Sequence, residues 1–260
     1  MSRKKSLRHK NIIDQLALNP TIRVSQLADA LKVTTETIRR DLEELAEQQL
    51  INRTYGGAML RQPAEPVLAE RHKSNVRERA AIGNASVPLL QNANVIMMGS
   101  GATTVQVARR MAVELNNVTV ITHSFGVANA LAVNSSIDII LTPGSYHAGE
   151  NAVHGALTQR FLANYAADVA VVGASALSPM GPSDALIDAA EVYAAMLAQS
   201  SRSLVVADHS KFDRMATARY SGWSEVDFLV SDQTPQGPLA QALQTGKTQV
   251  VVAPLQYPAN

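Results

Sequence analysis

Apolar residues in the first quarter of the chain recur at helical spacing. In residues 6–18, Leu7, Ile12, Ile13 and Leu16 fall on one stripe, which predicts an amphipathic helix laid on a core. Asn19-Pro20 ends that pattern. Ser25 is placed to cap a short second helix, SQLADAL, with Leu27, Ala28 and Leu31 inward. Lys32-Val33 reads as a tight turn. Thr34 or Thr35 then caps a third helix, TETIRRDLEELAEQQ, with Ile38, Leu42 and Leu45 inward. The β-prone stretch LINRTYGGAML surrounds Gly56-Gly57 and predicts a hairpin. This first region covers residues 1–60.

Residues 61–75 hold two prolines, many charges and little periodic apolarity, the texture of a linker. From residue 76 to 260 the pattern changes. Runs rich in Val and Ile, NVIMMG (94–99), NVTVIT (117–122), IDIILTPG (137–144), DVAVVGA (168–174), RSLVVAD (202–208), VDFLVSD (226–232) and TQVVVA (248–253), alternate with helical stretches such as TTVQVARRMAVEL and AAEVYAAMLAQSS. Strands apolar on both faces predict a parallel sheet covered by helices, an α/β domain.

Charge separates the two regions. Residues 1–62 carry 11 Lys/Arg against 7 Asp/Glu, and the remainder 12 against 15. A basic small region joined to a mildly acidic large one points to a polyanionic partner for the first alone. Cysteine is absent, which removes disulfides, thiol catalysis and zinc-thiolate sites and fits a reducing, cytoplasmic location. No apolar run approaches a membrane span, and no signal-peptide pattern follows the basic leader Arg3, Lys4, Lys5. The six histidines have no ligand-like spacing, so neither a metal nor a cofactor is expected.

Helix, helix, turn, helix, hairpin is the order of a winged helix-turn-helix, whose second paired helix enters the major groove by its N-terminal residues. Here that helix begins Thr34, Thr35, Glu36, Thr37 and continues to Arg39 and Arg40. With Ile38 and Leu42 inward, Thr35, Thr37 and Arg39 point outward. Arginine suits guanine edges or phosphate, and threonine hydroxyls with helix N-terminal amides suit phosphate oxygens. Arg53 and Tyr55 stand at the hairpin, where a wing touches the backbone or minor groove. Ser25, Thr34, Thr35, Thr37, Arg39, Arg40, Arg53 and Tyr55 are therefore the DNA-binding candidates. The leader lysines add salt-sensitive, non-specific attraction.

The stretch VSQLADALKVTTETIRRDLEELAEQQLINRTYGGA resembles the DNA-binding signature of DeoR-type regulators, and its TIRRDL and YGGA elements are specific to it. The resemblance continues in order through AIG, SGATT, VTVITHS, VVGAS, an acidic helix with Glu191, and ADHSKF. It implies a second domain folded like ribose-5-phosphate isomerase and a repressor modulated by a sugar phosphate.

In MMGSGATTVQVARRM a buried strand runs into a small-residue loop and a helix start. Ser100, Gly101, Ala102, Thr103 and Thr104 thus present amides and hydroxyls to an anion. Neither a Walker loop nor a dinucleotide fingerprint fits. Thr122, His123 and Ser124 close the next strand, Gly144 follows Pro143 on a third loop, and Lys211 follows strand SLVVA, all at strand C-termini where open sheets place ligands. Asp208 is placed to orient Lys211. The resemblance adds Glu191 as an acid facing the cleft. It also exposes departures: Gly99 where Asp is common, Ala102 for Thr, His123 for Asn, Pro143-Gly144 for Gly-Gly, Ser175 for an acid in VVGAS, and Tyr193 for Lys. Two readings follow, a different phosphorylated polyol or sugar acid, or a sensor that has lost its ligand.

An isomerase-like enzyme is the competing reading, with Asp184, Asp188, Glu191 and Lys211 as acid–base groups. The fused DNA-binding region and the missing acid at Ser175 speak against it, since fold kinship does not carry activity. A dual activator and repressor is equally compatible with the residues. One helix-turn-helix reads a short half-site, so a homo-oligomer, dimer or tetramer, is expected on operator DNA.

Overall fold

A computed structural model describes residues 3–18, 22–48, 50–54, 57–60 and 65–255. The chain forms two compact units, Met1–Glu65 and Pro66–Asn260.

In the first unit, α1 (Arg3–Leu18), α2 (Val24–Leu31) and α3 (Thr35–Glu47) precede β1 (Ile51–Thr54) and β2 (Gly57–Leu60). The strands pair antiparallel from Ile51↔Leu60 to Thr54↔Gly57, and Arg23 bridges Gly57. The core joins Ile12, Leu16, Leu27, Ile38, Leu42, Leu45, Ile51 and Ala58. Lys32 adopts the left-handed conformation, φ 53°, that turns α2 into α3. Two local expectations are corrected. Leu7 is 60 % exposed and off the core stripe: the apolar contacts of α1 come from its C-terminal half, through Ile12 and Leu16, while its N-terminal half meets α3 by polar side chains. Ser25 is not the cap: α2 starts one residue earlier, and Gln26 reaches back to accept from the Arg23 amide at 2.9 Å. The expected break at Asn19-Pro20 and the hairpin tip with Tyr55 and Gly56 lie outside the described residues.

The second unit runs α4 (Leu68–Arg71), α5 (Val76–Ser86), β3 (Val95–Met98), α6 (Ala102–Glu114), β4 (Thr119–Thr122), α7 (Phe125–Leu131), β5 (Asp138–Leu141), β6 (Ser145–His147), β7 (Ala152–His154), α8 (Ala156–Leu162), β8 (Ala167–Gly173), β9 (Ala176–Ser178), β10 (Gly181–Asp184), α9 (Ile187–Ala198), β11 (Ser200–Val206), β12 (Ala218–Arg219), β13 (Phe228–Ser231), α10 (Gly237–Gly246) and β14 (Gln249–Val252). A parallel seven-stranded sheet has the order β14-β13-β11-β8-β3-β4-β5. All seven Val/Ile runs supply its strands. Alternate residues feed two cores: Ile96, Met98, Val169, Val171, Leu204 and Val206 face α5, α6 and α7, while Met97, Ala170, Val172, Val205 and Leu229 face α8, α9 and α10. This two-sided burial is what continuous apolar strands require.

Residues 66–75, read from the sequence as linker, belong to this second unit. Leu68 is buried, its amide donates to Gly149 O at 2.9 Å, and Asn75 Nδ2 donates to Asp208 Oδ1 at 2.8 Å.

The chain leaves β3 toward β4 and β5 on one side, then returns to β8 on the other. The helices following β3 and β8 cover opposite faces. The switch point of the sheet therefore lies at the C-terminal ends of β3 and β8, the usual ligand position in such sheets.

Candidate nucleic-acid interface and sensor cleft

On the first unit, Thr34 is the N-cap of α3: its Oγ1 accepts from the Thr37 amide at 3.2 Å and lies 2.8 Å from Thr37 Oγ1. The cap orients the first turn. It leaves Thr34, Thr35, Glu36, Arg39 and Arg40 exposed on one side and Ile38, Leu42 and Leu45 buried on the other. Arg53 is exposed on β1 and reaches the Arg39 carbonyl in a long 3.5 Å contact, bringing the hairpin to the helix. Ser25 is exposed on α2.

Beneath this face lies a network the sequence reading missed. Asp41 is buried on α3. Arg8 Nε and Nη2 donate to its two oxygens at 2.5 and 2.9 Å, and His9 Nε2 lies at 3.1 Å. Burial alone raises a carboxyl pKa, but the Arg8 and His9 contacts outweigh it and hold Asp41 below its ordinary value. Lys5 meets Glu44 at 2.5 Å. Lys5 and Arg8 thus brace α3 from α1, so Lys5 is not the free leader cation expected. A periodic acid on α3 facing a basic α1 was the available signal.

On the second unit, the Gly99–Gly101 loop is held by its own neighbours. His123 is fully buried, and its Nε2 accepts from the Ser100 amide at 2.9 Å. Nδ1 therefore carries the proton and donates to Val153 O at 2.8 Å. Burial first, then the neighbouring His154, pushes the His123 pKa down to about 3, so the ring is neutral. Tyr193 OH donates to Ser100 O at 2.9 Å and lies 3.0 Å from Ser100 Oγ. Burial, with Asp184 adding to it, drives its pKa upward, so the phenol stays protonated. A Cβ on Gly99 would lie 2.7 Å from the Tyr193 ring. Gly99, His123 and Tyr193, three departures from the family pattern, thus form one packed group. Every polar atom of Ser100 is served from within the protein.

The remaining candidates are distributed as follows. Gly101 is the N-cap of α6 with φ 133°, and Thr104 Oγ1 donates to its carbonyl at 2.9 Å. Ala102 and Thr103 open the helix and are nearly buried. Thr122 Oγ1 donates to Met98 O at 2.8 Å, and Ser124 caps α7, accepting from the Val127 amide at 3.2 Å. These hydroxyls hold the strand ends in place. Gly144 is a packing glycine: a Cβ there would lie 2.3 Å from Thr158 Oγ1. Glu191 is exposed on α9 and accepts from Gln159 Nε2 at 2.7 Å. Lys211 sits in the single turn His209–Lys211, where its charge acts on Asp208. Asp208 accepts from Ser210 Oγ at 2.5 Å, Asn75 Nδ2 at 2.8 Å and Arg79 Nε at 3.1 Å. Ser175 Oγ donates to Asp184 Oδ2 at 3.2 Å, so an acid does reach this loop, from β10.

Three polar residues near Tyr193 and His123 had no sequence signal. Arg71 and Glu150 form a nearly buried ion pair, and both bear electrostatically on Tyr193. His154 is buried with Nε2 unpartnered, its ring 5.0 Å from that of His123. Arg71 stood in the presumed linker, and β7, only three residues long, did not read as a strand. Among the described residues no group of three or more His, Asp or Glu is arranged to hold a metal, and no helix is long and apolar enough to cross a membrane.

Residues 8–64 match the family model described as the DeoR-like helix-turn-helix domain, and residues 74–233 that of the DeoR C terminal sensor domain. The chain belongs to the DeoR family. As a DeoR-family protein it is a DNA-binding transcription regulator, not an enzyme. It is 31 % identical to the glycerol-3-phosphate regulon repressor of Haemophilus influenzae, covering 96 % of this chain and 97 % of that one. It is 28 % identical to the HTH-type transcriptional repressor CsqR of Escherichia coli, with 94 % of each covered. Ribose 5-phosphate isomerase A from Methanocaldococcus jannaschii overlays 54 % of this regulator and 55 % of its own chain, at 20 % identity and TM-score 0.39. That likeness is too slight to carry an argument about the cleft.

Proposed function

We propose that this regulator represses a carbohydrate-utilisation operon by seating α3 in the operator major groove, and that a phosphorylated sugar or related metabolite modulates it from the second unit. The carrying observation is the division of α3: Ile38, Leu42 and Leu45 anchor it while Thr35, Arg39 and Arg40 stand exposed beside Arg53. The repressor names of relatives aligned along nearly the whole chain support the direction of control. Ser25, Thr34 and Thr37 support the helix pair against the backbone, and Tyr55 is assigned to the wing by its place in the hairpin sequence. Binding as a homo-oligomer in the cytoplasm completes the reading, because one α3 covers only a half-site.

The ligand end rests on the sheet edge. Gly101, Ala102, Thr103 and Thr104 open α6, whose N-terminal amides favour an anion. Lys211, Ser100, Thr122, His123, Ser124, Gly144 and Glu191 complete the set. Ligand acts only through a difference in affinity between DNA-competent and released arrangements. A second reading has its own observation: with Ser100 fully satisfied internally, the phosphate-holding part of the loop begins at Gly101, and the ligand differs from that of relatives bearing an acid at position 99.

Gel shifts at fixed salt decide the DNA half. Arg39→Ala and Arg40→Ala weaken operator binding and leave ligand binding intact; unchanged operator affinity in both sinks the assignment. Thr103→Ala and Lys211→Ala keep operator binding but lose response to the metabolite. A thermal-shift panel of phosphorylated sugars, polyols and sugar acids identifies that metabolite, since a native-state binder raises the melting temperature by mass action.

A further inference from the structure

Glu36 sits in the first turn of α3, on the face that carries the two arginines. Its side chain is 62 % exposed, and its oxygens lie 3.9 Å from Arg39 Nη1 and 3.4 Å from Arg40 Nε. Exposed pairs of this kind contribute little to stability, and a first-turn carboxylate also suits the positive end of the helix dipole, so what sets this glutamate apart is the face it occupies. A helix brought against DNA carries its first turn deepest into the groove. A carboxylate there is repelled by phosphate on every sequence. It is compensated only where a base offers it a hydrogen.

We infer that Glu36 is a specificity-determining residue, accepting from the exocyclic amino group of a cytosine in the major groove and masking Arg39 and Arg40 on all other sequences. Cytosine presents that amino donor with no acceptor on the groove edge of its own base, whereas adenine carries N7 beside its amino group, which repels a carboxylate. On the right sequence Glu36 turns to cytosine and leaves both guanidinium groups to guanine or phosphate. On the wrong one it remains unpaired beside the phosphates, and it lowers the positive charge that would otherwise hold the regulator anywhere on the duplex.

The inference rests on the proposal that α3 is the groove-reading helix, and the test separates the two. Full-length wild type, Glu36→Gln, Arg39→Ala and Arg40→Ala are each used to select sites from a random duplex library at one salt concentration. Selected and scrambled duplexes are then titrated. Glutamine has nearly the shape of glutamate but matches adenine N6 and N7. The expected result is a cytosine in the wild-type half-site that becomes adenine in the Glu36→Gln selection. About tenfold discrimination is lost at that position, and affinity for scrambled duplex rises several-fold. An unchanged motif in Glu36→Gln, with or without a uniform gain in affinity, overturns the inference while the arginine variants still lose binding. If both arginine variants select the same motif with wild-type affinity, the groove-reading assignment of α3 itself fails, and this inference with it.

Discussion

Asp41 shows how a single carboxylate sets a helix. Its two oxygens take both Arg8 donors, and His9 closes the remaining side. Removing one partner of a buried, hydrogen-bonded pair costs more than an average contact contributes. Asp41→Asn is expected to destabilise the first unit by about 1–3 kcal/mol, read by urea denaturation of the full chain. The pH dependence has a definite sign. Because the folded pKa of Asp41 lies below its ordinary value, its stabilisation is present above the ordinary carboxylate pKa. It is lost as pH falls through the folded value. Asp41→Asn therefore flattens the acid side of the stability profile; an unaltered acid limb refutes this role. His123 follows the same sign by a different route. Its pKa falls from 6.5 to about 3, so the unfolded chain takes up a proton that the folded protein refuses. Stability of the second unit declines as pH drops below about 6.5. His123→Asn makes that slope shallower, measurable in urea melts from pH 7 to 4; the part that remains comes from His154 and His72, whose pKa values burial also lowers.

Elements differ in how plainly their residues announce them. The five inner sheet strands were legible because burial on both faces demands unbroken Val and Ile, as in VAVVG of β8; the edge strands β5 and β14 are partly exposed but keep the same apolar run. The third helix was legible because its cap and its stripe, Thr34 with Ile38, Leu42 and Leu45, agree. β6 is wholly exposed and reads SYH; β10 is wholly buried yet reads GPSD. Neither composition favours a strand, and pairing with neighbours, not propensity, makes them strands. Positions set by a strand end, such as Ser100 after β3 and His123 after β4, could be placed from the sequence. Arg71, Glu150 and His154 arrive from a short helix and a hairpin whose position only the tertiary fold supplies. Packing of helix on helix has its own test. A Cβ on Gly83 would lie 2.9 Å from Gln106 O, where α5 crosses α6. Gly83→Ala is expected to cost about 1–3 kcal/mol through forced separation of the two helices. A melting temperature equal to wild type would show that the crossing yields freely.

For the molecule as a whole, the boundary at Pro66 matters more than the size of either unit. Arg79 Nη1 donates to the carbonyls of Arg71 and Ser74 while Nε meets Asp208. Leu68 is held to Gly149 as well. A fragment starting at Val76 leaves buried Asp208 without Asn75, and removes Arg71 from Glu150. It is expected to unfold at lower urea than a fragment starting at Pro66. Equal midpoints would mean that residues 66–75 are dispensable to the second unit.

The Ser100 loop has a consequence for timing. His123 and Tyr193 already fix it, so a metabolite binding where we propose would meet a loop held in place by the protein itself. Little ordering entropy opposes capture. On that proposal the loop itself adds no folding step to capture or release, and the pace of response would follow the small molecule's own arrival and departure and the exchange between DNA-competent and released arrangements.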